Sequence, residues 1–239
     1  MNCLDLPPAS PANQLAADEA LLDWCEAGEG VETLSFWEPR DPFVVVGYAN
    51  KIAREVKADV CQQRGVPIFR RCSGGGTVVQ MPGGLNYSLV LKITPDGPTG
   101  TITRANRFIM DRNRQALAAA TGRPVVVRGH TDLAIGDQKF AGNSQRRHRN
   151  HLLFHGTILL HADLNLINEL LPQPSLEPAY RAHRPHLDFV MNLRVSAESI
   201  KAALRQVWEA WEPLPNPPME RIAALARDKY STTAWNGKF

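Results

Sequence analysis

The 239-residue chain is poor in several features, and each shortage closes a class of function. Cysteine occurs only at 3, 25, 61 and 72, with no Cys-x-x-Cys pair, so neither a zinc ribbon nor a disulfide framework is available. No apolar run approaches the ~18 residues of a membrane helix. The opening Met-Asn-Cys-Leu-Asp-Leu-Pro-Pro lacks the basic start and apolar stretch of a secretory signal. Neither sign of charge is in excess: 27 Lys and Arg against 24 Asp and Glu leave +3, little for a protein that lives by phosphate-backbone contacts. Internal repeats are missing. What remains is ordinary globular composition, 44% apolar and 21% charged, in a chain long enough to bury a core without staples. These features predict a soluble cytoplasmic protein with reduced thiols and with neither a nucleic-acid nor a membrane partner.

Hydrophobic periodicity and turn residues predict an α+β fold. A helix is expected over Asn13–Cys25, with Ala17, Leu21, Trp24 and Cys25 on one face. Strands are expected at Thr33–Trp37 and Phe43–Tyr48, a helix at Ile52–Gln63, then strands at Pro67–Arg71, Thr77–Gln80 and Asn86–Ile93. Arg104–Ala120 reads as a helix closed by Gly122. Short strands follow at Val125–Arg128, Asp132–Ile135 and Gln138–Ala141, the last two joined across Gly136-Asp137. A polar loop, Ser144–Asn150, leads to a long strand, Leu152–Leu160. Leu171–Leu187 holds four prolines and reads as an extended surface segment. Ile200, Leu204, Val207, Trp208 and Trp211 form a helical stripe with Ser196 as N-cap, and a last helix is expected over Met219–Lys229. Runs of strands with helices at both ends predict a mixed or antiparallel sheet flanked by helices, in one domain spanning 1–239.

Three stretches carry chemistry. Arg70-Arg71-Cys72-Ser73-Gly74-Gly75-Gly76-Thr77-Val78-Val79 places three glycines after a strand, where the backbone turns with positive φ and free amides form an anion-binding concavity. Arg71 beside it is a candidate clamp for a phosphate or carboxylate, the alternative being a solvated hairpin. In Asp132 to Gln145, Lys139 shares a face with Ala141 while Phe140 points to the core; a solvated edge lysine is the competing reading. His151 and His155 are four apart, but strand spacing separates their rings by about 13 Å, which excludes a metal pair. His155 beside Gly156 is either a pocket residue or a satisfied core histidine.

Taken together, these stretches resemble the lipoate–protein ligase branch of the biotin/lipoate protein ligase family. The matching segments run in order: Leu15-Ala-Ala-Asp-Glu-Ala-Leu-Leu22, Phe36-Trp37-Glu-Pro, Val45-Val46-Gly47, Arg70 to Val79, and Leu85-Asn-Tyr-Ser88. Then come Asp132-Leu133, Gly136-Asp-x-Lys139-x-x-Gly142, His155-Gly-Thr157-x-Leu-Leu160 and Lys229-Tyr-Ser-Thr-x-x-Trp235. The resemblance implies a class II aminoacyl-tRNA synthetase and biotin-ligase-like catalytic domain. It implies a two-step reaction, in which lipoate and ATP give lipoyl-AMP and a lysine of a lipoyl-domain acceptor then takes the lipoyl group. It assigns Lys139 as the catalytic cation, staying protonated and forming no Schiff base. Arg71, Gly75, Gly76, Thr77, Val78, Val79, Gly142, His155, Gly156 and Thr157 would contact ATP and lipoyl-AMP. Trp37, Gly47 and Gln80 would line the lipoyl pocket. Mg²⁺ would accompany ATP, with Asp132 or Asp137 as weak ligand candidates.

Two departures stand out. Gln80-Met81 replaces the His-Asp pair of many relatives. An accessory domain that often follows the Lys-Tyr-Ser-Thr segment is expected to be absent, which leaves two expectations: a separate small accessory subunit, or an enzyme that works alone. The resemblance leaves an alternative, an octanoyltransferase of the same fold working through a cysteine thioester. Its cysteine would fall near Arg123–Arg128, where none occurs, and Cys72 is the only thiol near the proposed site. A non-catalytic binder of lipoyl-AMP or lipoyl domains is a further alternative, against which the intact Lys139 speaks. Gln145-Arg-Arg-His-Arg149 reads as a basic loop, with Arg146 and Arg147 offered as a docking surface for an acidic acceptor.

Overall fold

The segment Gly84–Lys92 shows how this chain separates a core from a site. Alternation sends Leu85, Tyr87, Leu89 and Leu91 to one face, where all are buried in the largest apolar cluster. Asn86, Ser88 and Val90 go to the other. The computed structural model describes residues 1–239. Its strands are β1 (Asn2–Asp5), β2 (Thr33–Trp37), β3 (Phe43–Val46), β4 (Ile68–Arg70), β5 (Val78–Gln80), β6 (Gly84–Lys92), β7 (Val125–Arg128), β8 (Asp132–Ile135), β9 (Gln138–Arg147), β10 (His151–Leu159) and β11 (Glu212–Pro213). Eight form a mixed sheet in the order β11-β1-β2-β6-β10-β9-β8-β7, parallel only around β1. Three form a smaller sheet, β4-β3-β5, with β3 parallel to β4 and antiparallel to β5.

The helices are α1 (Pro11–Glu26), α2 (Ile52–Glu55), α3 (Ala58–Gln63), α4 (Ile102–Thr121), α5 (Leu164–Leu170), α6 (His186–Phe189), α7 (Ala197–Trp208), α8 (Met219–Leu225) and α9 (Thr233–Asn236). Ser10, Thr101 and Ser196 cap α1, α4 and α7 through their hydroxyls, and Gly122 closes α4 in the left-handed region. Helices α4 and α7 cover one face of the large sheet with Ile109, Leu117, Ile200, Leu204 and Trp208. On the opposite face α1 packs Leu21, Leu22 and Cys25 against Val90 and Leu153. No helix is long and apolar enough to cross a membrane.

Several expectations need correction. Ile52–Gln63 is two short helices, because Val56 adopts an extended conformation between them. Ser144–Arg147 is not loop but the continuation of β9, paired with His155 through Leu152. The segment 171–187 is not simply surface: Leu171, Arg181 and His186 are buried, and a 3₁₀ turn spans Ala179–Arg181. Trp211 leaves the α7 stripe, since Glu209 turns left-handed after Trp208, and it is 57% exposed. The helix expected over Met219–Lys229 is α8, which stops at Leu225 and widens into a π-type turn, Ala226–Tyr230, ahead of α9.

Candidate active site

Where the two sheets meet, the inner face of the large sheet carries small and polar residues instead of apolar ones. Thr157 on β10 lies between Asn86 on β6 and Gly142 on β9, and His155 lies between Ser88 and Ser144. The result is a cavity of about 560 Å³, walled by Trp37, by β3 and β5, and by the segment 171–190.

The turn Cys72–Gly76 closes one end. All its carbonyls are tied back into the protein. Arg146 donates to Cys72 O, Tyr48 N to Ser73 O, Ser144 Oγ and Arg71 to Gly74 O, Asn50 to Gly75 O, and Arg71 Nη2 to Gly76 O. The amides of Ser73 through Thr77, by contrast, meet no protein acceptor. Such a turn is a nest of unspent N–H groups. Only Gly75 of the three glycines has positive φ, at 84°. Gly47 serves the turn from beneath, because a Cβ there would fall 2.1 Å from Gly75 O. Gly47 therefore supports the turn and does not line the cavity, against expectation. Arg71 does line it, but its Nε and Nη2 are spent on Ser73 Oγ and the carbonyls of Gly74 and Gly76. Burial holds its guanidinium down to about 10. Its main work in the free protein is to shape the turn.

Lys139 faces the same cavity from β9. A bulge sets Ala134 opposite Lys139 and Leu133 opposite Ala141, so Phe140 and Ala141 both enter the core. Lys139 consequently shares its face with Gly142, not with Ala141. Its Nζ pairs with Asp132 Oδ1 at 2.7 Å, and Asp132 Oδ2 accepts from Tyr180 Oη at 2.8 Å. Asp137 pairs with Arg128 in solvent. Both carboxylates read as weak metal candidates are thus engaged elsewhere.

Asp18 and Ser73, both buried, form a hydrogen-bonded array with half-buried His155, and sequence reading missed these two partners. His155 Nδ1 lies 2.6 Å from Asp18 Oδ2, and its Nε2 lies 2.5 Å from Ser73 Oγ. His155 borders the cavity with both ring nitrogens engaged. The available signal was an acidic pair, Asp18-Glu19, set among the buried Ala and Leu of the Leu15–Leu22 stretch of α1. Glu19 is satisfied by Lys229 and Tyr230, which dock the C-terminal motif. Gln80 exchanges two amide hydrogen bonds with Asn86 at 2.8 Å and donates to Thr157. Gly156 is small because a Cβ would strike Asn143 Oδ1 at 1.8 Å. Asn143 is held by Tyr87 and by the Thr131 carbonyl. Thr77, Val78 and Val79 line the cavity. Arg146 and Arg147 do not form a free docking surface: they bond the carbonyls of Cys72, Thr99 and Gly100.

Residues 10–209 match the family described as the lipoyl protein ligase A/B catalytic domain. Octanoyltransferase LipM of Anoxybacillus flavithermus is 25% identical over 270 residues, covering 98% of this chain and 97% of that protein. Lipoate-protein ligase A subunit 1 of Thermoplasma acidophilum is 26% identical over 247 residues, covering 96% and 93%. A crystal structure of lipoate-protein ligase A bound with ATP has a TM-score of 0.80 at 26% identity, covering 100% of this chain and 99% of that one. The large mixed sheet flanked by helices is the fold of those ligases, as expected from the element pattern. Its relatives carry the names of two enzyme activities, a ligase and a transferase, and the chain belongs to the lipoyl protein ligase A/B catalytic-domain family.

Proposed function

We propose that the chain is an ATP-dependent lipoate–protein ligase, joining lipoate to AMP and passing the lipoyl group to a lysine of a lipoyl-domain acceptor. The observation that carries this reading is the turn with its carbonyls tied back and its amides unspent, of which Gly75, Gly76 and Thr77 line one cavity with Lys139. An acid and a triphosphate both bring negative charge to such a place.

In the first step the lipoate carboxylate attacks the α-phosphorus of ATP, and the bond to the bridging oxygen breaks as pyrophosphate leaves. Lys139 would exchange Asp132 for the carboxylate and α-phosphoryl oxygens, where charge builds. The amides of Gly75, Gly76 and Thr77 would hold the remaining phosphate oxygens. In the second step the acceptor amine attacks the lipoyl carbonyl, and AMP leaves as the amide forms. Val78, Val79, Gly142, Gly156 and Thr157 would border the adenylate. His155, held by Asp18, would keep Ser73 and so the turn in place. Leu15, Trp37, Val45 and Gln80 would receive the acyl tail. Mg²⁺ would arrive with the triphosphate, since Asp132 and Asp137 are already paired. A relative named as subunit 1 of its ligase supports a separate accessory subunit for this chain as well.

The names of the LipM relatives favour a second reading, octanoyl transfer. A thioester route needs a thiol at the cavity, and none of the four cysteines lines it. The test is incubation with ATP, Mg²⁺, lipoate and an unmodified lipoyl domain, read by intact mass. A lipoyl increment that requires ATP is expected. Octanoyl transfer from a carrier protein without ATP would overturn the reading.

A further inference from the structure

Asp132 has two carboxylate oxygens, and the protein uses them differently. One meets Lys139, and the other accepts from Tyr180. Tyr180 belongs to the 3₁₀ turn Ala179–Arg181 within the segment that walls the cavity. That segment reaches Lys139 a second time, because Met191 N donates to Lys139 O at 2.9 Å and Val190 pairs with Lys139 in parallel. The Tyr180 ring is itself seated. Its centroid lies 5.2 Å from that of Phe189, and a Cβ on Gly129 would touch its Cε1 at 3.7 Å. Arg184 fastens the segment to the β8–β9 hairpin through Asp137 O at 3.0 Å. Burial and the neighbouring carboxylate push the Tyr180 phenol up, so it remains a donor at working pH.

The terminal torsion of an aspartate is broad and roughly two-fold, so an unheld carboxylate presents either oxygen to a nearby ammonium. A fixed donor on Oδ2 removes that freedom. We infer that Tyr180 is a positioning residue: by holding Asp132 it sets the place from which Lys139 moves to the reacting acid and nucleotide. It also links the seating of segment 171–190 to the aim of that lysine. The inference rests on the reading of Lys139 given above. Tyr180 does not line the cavity, so removing its hydroxyl should alter turnover and leave substrate affinity nearly intact.

Tyr180→Phe tests this while keeping the ring. Adenylate formation, followed by lipoate-dependent ATP–pyrophosphate exchange, should lose about tenfold in kcat, while KM for ATP and lipoate stays within about twofold. The melting temperature should be unchanged. In an Asp132→Asn background, where exchange is reduced but measurable, adding Tyr180→Phe should have no further effect. Wild-type kcat in Tyr180→Phe, or losses that multiply in the double variant, would overturn the inference. Lys139→Ala separates the two levels. If it keeps exchange activity, the reading of the site falls and this inference with it. If it is inactive while Tyr180→Phe is normal, only the role of Tyr180 falls.

Discussion

Lys139 lies across Gly142: a Cβ at position 142 would fall 2.7 Å from Nζ and 2.9 Å from Cε. The glycine has no positive φ, so its use here is space for a lysine side chain rather than a special backbone. Gly142→Ala should therefore fold, because the group in the way is the far end of a flexible side chain. It should still lower adenylate formation by roughly tenfold or more, since misplacing a reacting group by about 1 Å is costly. Thermal unfolding and pyrophosphate exchange, measured side by side, check this. Unimpaired exchange would mean that Lys139 does not act from its bed on Gly142.

The hydrogen-bonded array of Asp18, His155 and Ser73 makes a different prediction. Asp18 is 4% exposed and already has one oxygen without a partner. His155→Ala would strip the other, at a cost of about 3 kcal/mol, and would remove the hold on Ser73 within the turn. Denaturant unfolding should show the loss of stability, and KM for ATP should rise. An unchanged KM would place His155 outside the support of the phosphate turn.

Cys72 bears on the rival thioester route. Burial pushes its thiol up to about 12, and the carboxylates of Glu19 and Asp18 act in the same direction. The thiolate is thus disfavoured at every pH where the enzyme would work. Native protein at pH 8 should leave Cys72 unmodified by iodoacetamide, whereas the unfolded chain should react at all four cysteines. Rapid labelling of Cys72 in the folded state would reopen the transferase mechanism.

Much of this architecture was legible before any coordinates, for reasons that differ by element. Helices α1, α4 and α7 combine caps with long runs, and β6 alternates cleanly, so local pattern and tertiary environment agree. β1 is four residues without alternation, and its strand character comes from β2 and β11 beside it. Ser144–Arg147 is polar because those residues reach other backbones: Ser144 bonds Gly74 O, and Arg146 bonds Cys72 O. Read locally, such a stretch is indistinguishable from a loop. α5 was missed although Asp163 caps it and Leu164, Ile167 and Leu170 recur at helical spacing.

Within the site, motif residues were legible and their partners were not. Lys139 and the glycine turn stood out, but Asp18 meets His155 across 137 residues and Tyr180 meets Asp132 across 48. Gly47 lies two residues after Val45, which does border the cavity. Its clash with Gly75 O depends on how two loops stack, which no spacing in the chain records.

The most direct test of the central claim is lipoate-dependent ATP–pyrophosphate exchange by wild-type chain and Lys139→Ala, with folding verified by thermal unfolding. Exchange is expected in the wild type, with a loss of several orders of magnitude in a variant that still folds. Equal exchange in the two proteins would contradict the claim.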